Sequence, residues 1–169
     1  MSQSTDFDEL VPEMQAWNEG NGIDIDSWIG CIGSYTHAIG YSRIFWPQFV
    51  EYDGCILISD HVDPTNYHNW KKAHNGDRQR VEQSMNHQHI VDLFINTTEV
   101  TPAQLRYLGR ILTEMWKAKL HRDFPKRSFI VEFADGDCDE DFDEYYGYII
   151  SFYQETHAES PYTQFVHSA

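Results

Sequence analysis

The chain has 169 residues, a hydrophobic fraction of 41% and an aromatic fraction of 15%, enough apolar material to exclude disorder of the whole chain and to fill one core. Its 27 acidic residues outnumber 12 Lys and Arg residues, and the formal net charge of −15 disfavours nucleic acid and anionic membranes as partners while favouring a basic protein. We expect a single globular domain over residues 1–169, with loose tails at residues 1–5 and about 157–169.

The acidic residues are concentrated at the two ends of the chain. Residues 1–42 contain seven acidic residues and no Lys or Arg, and residues 128–169 contain ten acidic residues and again no Lys or Arg. Eleven of the twelve basic residues lie between Lys71 and Arg127. Two interpretations remain open: the charge keeps the protein soluble, or it attracts a basic partner.

The cysteines and the N-terminal sequence indicate a cytoplasmic protein. Cys31, Cys55 and Cys138 are odd in number and form no CxxC pair, which is typical of a reducing compartment. The first ten residues are polar and acidic, unlike a signal peptide. No window approaches 18 uncharged apolar residues, so we expect no membrane span.

Two helices are predicted in the first 40 residues. Thr5 or Asp8 begins the first, and Asp24 or Asp26 begins the second. Apolar residues recur at helical spacing in the second helix, at Trp28, Ile32, Tyr35 and Ile39. We expect the low-charge segment of residues 27–59, which contains this helix, to supply both layers of the core. Because a helical glycine costs about 1 kcal/mol relative to alanine, three glycines predict close approach of a neighbouring backbone: Gly30, Gly33 and Gly40.

A β-hairpin is predicted in the second half of the low-charge segment. Residues 41–46 are expected to be extended, and Phe49 to Tyr52 and Cys55 to Ser59 are predicted strands. The Asp53-Gly54 pair between them is one that two-residue hairpin turns prefer.

Three further helices are predicted in the middle of the chain. Asp63-Pro64 begins one, and Asp77 begins the next, with Val81 and Met85 facing inward. Residues 89–95 form either more helix or a strand, since a short apolar run does not decide between them. A capping box at residues 101–104 begins the longest helix, over about residues 101–123.

A second hairpin completes the predicted fold. Residues 128–134 and 145–154 alternate large apolar residues with others, as strands do. Two hairpins separated by helices argue against a doubly wound parallel sheet. The sequence therefore predicts an α+β fold, with a small, mostly antiparallel sheet of about four strands covered by four to five helices.

The loop between the last two strands carries the densest charge, because seven of the ten residues 135–144 are acidic. Its first aspartates alternate as in a calcium loop, but Glu140 stands where a glycine is needed and Tyr146 where a glutamate is needed. The loop is either a solvated hairpin loop or a contact for a basic partner. Arg106, Arg110 and Lys117 are candidates to neutralise it within the chain.

A partner-binding site is predicted at this loop and the tyrosines that follow it, because Tyr is a preferred interface residue. The predicted contact residues are Asp135, Asp137, Asp139, Glu140, Asp141, Tyr145 and Tyr146. The alternative for the tyrosine-rich strand is that other elements cover both of its faces.

Nine histidines raise the alternative of a metal site. His87 and His89 point the same way only if their segment is extended, because a helix turns them about 200° apart. His89 and Asp92 share a face on a helix, and His61 lies among further aspartates. No HExxH, facial-triad spacing or Cys/His set accompanies them. These four residues are the alternative metal ligands, and we expect no metal.

Covalent catalysis has weaker support in the sequence. Cys31 and Cys55 lie in apolar runs that are predicted to be buried in the core, where a thiol has a raised pKa and is inert. No serine lies in a GxSxG motif. We therefore expect no catalytic residue and no cofactor.

The leading hypothesis is a non-enzymatic, cytoplasmic interaction protein that binds a basic protein through the acidic loop, with an immunity-type neutraliser as one version. One alternative is a metal-dependent hydrolase that uses His and Asp residues of the segment 60–92. A second alternative is a DNA-mimic protein. The concentration of carboxylates in one loop and at the two ends of the chain argues against this alternative.

Overall fold

The computed structural model describes residues 5–94, 99–136 and 147–155. The helices in these ranges are α1 Phe7–Leu10, α2 Ile25–Ile32, α3 Tyr35–Phe45, α4 Pro64–Ala73, α5 Arg78–Met85 and α6 Pro102–Asp123. The strands are β1 Phe49–Tyr52, β2 Cys55–Ile58, β3 Gln88–His89, β4 Phe129–Asp135 and β5 Tyr148–Gln154. This arrangement confirms the α+β fold class.

The strands form two antiparallel sheets, one of β1 and β2 and one in the order β3-β5-β4. Asp53 and Gly54 join β1 to β2 with φ angles of 49° and 80°, the left-handed values that a two-residue hairpin turn requires. Both predicted hairpin pairings are confirmed, because β4 also pairs antiparallel with β5.

The two sheets lie between α6 on one face and the pair α4 and α5 on the other. The larger apolar cluster contains four buried residues of α6, namely Leu105, Leu112, Trp116 and Leu120. The smaller cluster on the opposite face contains Cys55, Leu57, Tyr67, Val81 and Met85. Residues of β2 enter both clusters in alternation, so this short strand is buried along its whole length.

The side chains of Glu82 in α5 and of Asn86, which directly follows α5, join the two sheets to each other. The carboxylate of Glu82, which has 0% exposure, accepts hydrogen bonds from the backbone N–H groups of Ile56 at 2.7 Å and Gln154 at 2.6 Å. Asn86 accepts from the N–H of Ile58 at 3.0 Å and donates to a carbonyl oxygen of each sheet. These two side chains occupy the place that a backbone neighbour would take between β2 and β5.

The expectation that residues 27–59 supply both layers of the core is half wrong. The hairpin half is buried, but α2 and α3 contain no buried residue. An added Cβ at Gly30 or Gly40 would meet nothing within 4 Å, so no neighbouring backbone of the described chain requires these glycines. The physical reason is that α6 and the pair α4 and α5 already cover both sheet faces.

Two local predictions are also corrected. Residues 41–45 are helical, because α3 continues to Phe45 rather than giving way to an extended segment. The predicted second helix is instead two, since the chain leaves helical geometry at Gly33, whose ψ is 148°. The open question at residues 89–95 is answered by a short strand, β3, followed by a 3₁₀ helix at Val91–Phe94. Among the described helices, none has a stretch long and apolar enough to cross a bilayer.

Candidate functional site

One residue of the predicted partner-binding site, Asp135, lies within the described residues. It is the last residue of β4, is exposed, and pairs with Tyr148 of β5. The other six predicted contact residues lie outside the described residues, namely Asp137, Asp139, Glu140, Asp141, Tyr145 and Tyr146.

Basic side chains lie close to Asp135. Arg106 and Arg110 of α6 line, together with Asp135 and Phe133, a groove of about 770 Å³. The guanidinium of Arg106 lies 5.6 Å from the ring centroid of Tyr148, a cation–π distance. The base of the acidic loop therefore has positive charge beside it within the same chain.

The described part of the tyrosine-rich strand is covered on both faces. Tyr148 and Phe152 are 1% and 0% exposed on the α6 side, and Tyr153 is 7% exposed on the opposite side. The hydroxyl of Tyr153 donates to Glu132 at 2.5 Å. The described rings of β5 are thus core residues rather than an exposed binding face.

The structure brings together two of the four residues of the alternative metal site and separates the other two. His61 places its Nδ1 3.0 Å from the carbonyl oxygen of Met85, and Asp92 is exposed in the 3₁₀ helix after β3. His87 and His89 do come together, with their Nε2 atoms 3.1 Å apart. In the described ranges, no group of three or more His, Cys, Asp or Glu side chains lies close enough to hold a metal ion.

Strand β3 begins directly after His87 and includes His89, and the two imidazoles come together there. Side chains two residues apart in an extended segment point to the same face. The sequence analysis predicted that His87 and His89 point the same way if their segment is extended, and the two rings do lie together. Partial burial of the His87 imidazole beside the neighbouring elements lowers its pKa, and the neighbouring His89 lowers it further. The His87 imidazole is therefore neutral at pH 7.

A cleft of about 320 Å³ lies beside His87, between α5 and the sheet, and its lining includes Gln83, Ser84, Glu132 and Ser151. The hydroxyl of Ser84 in α5 lies 2.9 Å from Nε2 of His74, the residue after α4. No motif in the sequence predicts this contact. The Trp70 ring stacks on His74 at 5.5 Å and 8°. Among the described residues no carboxylate hydrogen-bonds to His74 as the orienting acid of a nucleophilic triad would, so we interpret the contact of Ser84 with His74 as a link between two helices.

The cysteine prediction is wrong for one residue. Cys31 is exposed, whereas Cys55 is 2% exposed and lies 3.9 Å from the Tyr67 hydroxyl. Burial raises the pKa of Cys55, which keeps this thiol protonated and inert.

The feature that the sequence prediction missed is an exposed apolar surface on α2 and α3. Seven of the eight large exposed apolar residues in the described ranges lie between residues 17 and 46. We call the four with the greatest exposure the α2–α3 surface, namely Ile29, Ile32, Tyr35 and Ile39, which are 53%, 49%, 92% and 71% exposed. Monomeric proteins rarely leave neighbouring large apolar side chains this open unless another molecule covers them.

The spacing of the apolar residues in α2 predicted that this helix is buried. Ile25, Trp28, Ile29 and Ile32 follow the i, i+3, i+4, i+7 pattern of a buried helix stripe. The glycines of α2 and α3, from which we predicted close approach of a neighbouring backbone, have open space where a Cβ would lie at Gly30 and Gly40.

The segment of the chain that contains the α2–α3 surface is acidic. Residues 5–42 contain no Lys or Arg, and their carboxylates are exposed, including those of Glu13, Glu19 and Asp26. Arg43, the first basic residue of the chain, forms an ion pair with Asp60. The surface therefore combines exposed apolar side chains with negative charge.

Comparisons of the chain with protein-family models, with curated proteins and with solved structures find no match.

Proposed function

We propose that this protein is a non-enzymatic interaction protein that binds a basic protein partner, and that the α2–α3 surface forms the apolar centre of the contact. The observation that supports this most is the exposure of Tyr35 and Ile39, at 92% and 71%, on a well-formed helix. Exposed Tyr and Ile side chains on a preformed helix lose little conformational entropy on binding, so they suit an interface.

The partner is basic because of the charge that borders this surface. An apolar interface centre with a charged rim selects a partner of complementary charge and speeds its association. A second copy of this chain would bring the same acidic rim against itself, which costs free energy at low ionic strength.

Small residues on the surface add a geometric argument. Gly30 and Gly40 have open space where a Cβ would lie, so a partner backbone can approach α2 and α3 closely. Their cost to helix stability, about 1 kcal/mol each, brings no packing gain within the described chain. A docked helix or strand of the partner would supply that gain.

The acidic loop is a second contact in this proposal. Asp135 at its base shares a groove with Arg106 and Arg110, so intramolecular neutralisation competes with a partner there. In α2 and α3 the one Lys or Arg residue is Arg43, which is already paired with Asp60, so less positive charge of the chain competes with a partner there. We therefore assign the larger share of affinity to the α2–α3 surface. An immunity-type neutraliser is one version of this function.

The experiment uses defined probes. A fluorescently labelled amphipathic helical peptide of Leu and Lys is titrated with the protein, alongside a peptide in which Glu replaces Lys and a scrambled Leu/Lys peptide. We expect the basic amphipathic peptide to bind most tightly, with an affinity that falls as ionic strength rises.

Matched variants assign the site. Ile32→Ser combined with Ile39→Ser is expected to weaken binding at least about fivefold, whereas Trp70→Ser, at an exposed apolar residue of α4, leaves it unchanged. Equal binding by the double variant and the parent would contradict the proposal. The proposal would also be contradicted if the parent protein does not bind the peptide and forms a dimer that Ile39→Ser abolishes. That result would assign the α2–α3 surface to a second copy of the chain.

The loop contact has its own variant. Neutralising Asp137, Asp139, Glu140 and Asp141 to the corresponding amides is expected to lower the salt-sensitive part of the affinity and to leave folding intact. Unchanged binding would remove the loop from the interface and leave the α2–α3 surface as the proposed site.

A further inference from the structure

The imidazole of His89 in β3 and that of His87, just before β3, form an arrangement that the interaction function does not use. Their Nε2 atoms are 3.1 Å apart and their ring centroids 4.7 Å apart. We propose that His87 and His89 together bind one divalent transition-metal ion of the class that prefers imidazole nitrogen, such as Zn²⁺, Ni²⁺ or Cu²⁺.

The Nε2 separation fits two ligands of one ion. With metal–nitrogen bonds of about 2.0–2.1 Å, nitrogen atoms at this spacing subtend an angle of about 98° at the ion. That angle lies between the right angle of square-planar or octahedral sites and the tetrahedral angle. The angle between the two metal–nitrogen bonds must therefore open slightly to reach the tetrahedral angle of a zinc site and close slightly to reach the right angle of a nickel or copper site.

The orientation of the rings supports convergence on a common point. Two imidazoles that both point at one ion have centroids about 4.8–4.9 Å apart at these bond lengths. Two imidazoles that point head-on at each other through an N–H···N hydrogen bond have centroids about 5.4 Å apart. The observed separation of 4.7 Å agrees with the convergent arrangement.

The backbone holds this geometry in place. Gln88 and His89 pair with Ile150 and Ile149 of the central strand β5, and the N–H of Ile90 donates to Tyr148 at 2.9 Å. His87 is exposed at the edge of the cleft beside α5, so an ion can reach the pair from solvent. A site preformed on a paired strand loses little free energy to reorganisation.

The chemistry of binding is a change of tautomer. Without an ion, the proton on one Nε2 makes a bent rather than head-on hydrogen bond to the other Nε2. On binding, the donor ring carries its proton on Nδ1 instead, by exchange with water, and both Nε2 lone pairs face the ion. Two protein nitrogens leave the other coordination positions to water or to donor atoms of a bound molecule.

The experiment measures ion binding to the untagged full chain by isothermal titration with Zn²⁺, Ni²⁺ and Mg²⁺. We expect Zn²⁺ and Ni²⁺ to bind, Mg²⁺ not to bind, and either His87→Ala or His89→Ala to raise the dissociation constant at least about tenfold. His37→Ala and His121→Ala, at exposed histidines of α3 and α6, are the matched controls and should leave binding unchanged.

A second readout separates ion binding from folding. Zn²⁺ should raise the unfolding temperature of the parent chain and not that of the variants, because an ion that binds only the folded state stabilises it. If His89→Ala lowers the unfolding temperature without metal, His89→Gln replaces it as the test variant. Ion affinity that survives loss of both imidazoles, or that falls equally in the controls, would overturn the proposal.

Discussion

The carboxylate of Glu82 accepts a hydrogen bond from the backbone N–H of Gln154 at 2.6 Å, and its other oxygen accepts one from the backbone N–H of Ile56 at 2.7 Å. The side-chain amide of Gln154 also donates to this carboxylate and to the carbonyl oxygen of Gly54. One buried acid on α5 therefore connects the end of β5 to the β1–β2 hairpin.

Glu82→Gln is expected to destabilise the protein. An amide retains one acceptor oxygen but places an NH₂ group against an N–H donor, and a buried donor left without an acceptor costs about 1–3 kcal/mol. Urea denaturation at pH 7 measures the free energy of unfolding. Gln83→Ala, at the exposed neighbouring position, is the control and should change it by less than about 0.5 kcal/mol. Equal stability of the parent and Glu82→Gln would show that the sheet junction does not depend on the carboxylate.

The contribution of Glu82 to stability depends on pH. Burial raises the pKa of this carboxyl above its ordinary value of 4.5, and the hydrogen bonds from Gln154 and Ile56 offset part of that rise. A raised folded-state pKa means that the folded state holds the proton more tightly than the unfolded state. The stability that Glu82 contributes is therefore fully present below pH 4.5 and is lost as pH rises through the folded-state pKa.

The measurement is the free energy of unfolding of the parent and of Glu82→Gln across pH 4 to pH 8. The advantage of the parent should be largest at the acid end and shrink as pH rises, because the glutamine does not titrate. An advantage that grows with pH would mean that the hydrogen bonds outweigh burial and that the pKa of Glu82 lies below its ordinary value.

Features of the fold that depend on neighbours in sequence could be predicted. The Asp53-Gly54 turn follows from two residues that tolerate positive φ. The start of α6 follows from the reciprocal hydrogen bonds of Thr101 and Gln104. Both are short-range chemistry, so the residue types alone decide them.

Features that depend on distant packing could not be predicted. The pattern of Ile29 and Ile32 has the spacing of a core helix, but burial requires an element to cover it, and α6 occupies that place. The pairing of His87 with His89 depended on whether a short segment became strand, which its contact with β5 decides. The role of Glu82 rests on a hydrogen bond across 72 residues, for which one sequence carries no signal.

Two helical glycines are expected to respond to alanine in opposite directions. At Gly109 of α6, an added Cβ would lie well inside van der Waals contact with the Phe133 ring, so Gly109→Ala should destabilise by about 1–3 kcal/mol through overpacking. At Gly40 of α3 the same change meets open space and should stabilise by up to about 1 kcal/mol through helix propensity. Chemical denaturation of both variants beside the parent chain measures the difference. A loss of stability in Gly40→Ala would show that α3 packs against part of the chain outside the described residues.

Exposed and buried isoleucines of this chain should differ sharply in their effect on stability. Ile39 is 71% exposed on α3, whereas Ile150 is 0% exposed at the centre of β5. Ile39→Ser should change the free energy of unfolding by less than about 0.5 kcal/mol, since the side chain remains in water in both states. Ile150→Ala should cost about 2–5 kcal/mol, because it removes buried methylene groups and leaves a cavity.

Denaturant titration at several protein concentrations tests both changes. A monomer with an open partner surface requires two results. The free energy of unfolding of the parent must not depend on protein concentration, and Ile39→Ser must leave that free energy unchanged. A stability that rises with concentration in the parent but not in Ile39→Ser would mean that self-association covers α3. The same denaturation experiment thus measures the core and decides whether the α2–α3 surface is open for a different protein.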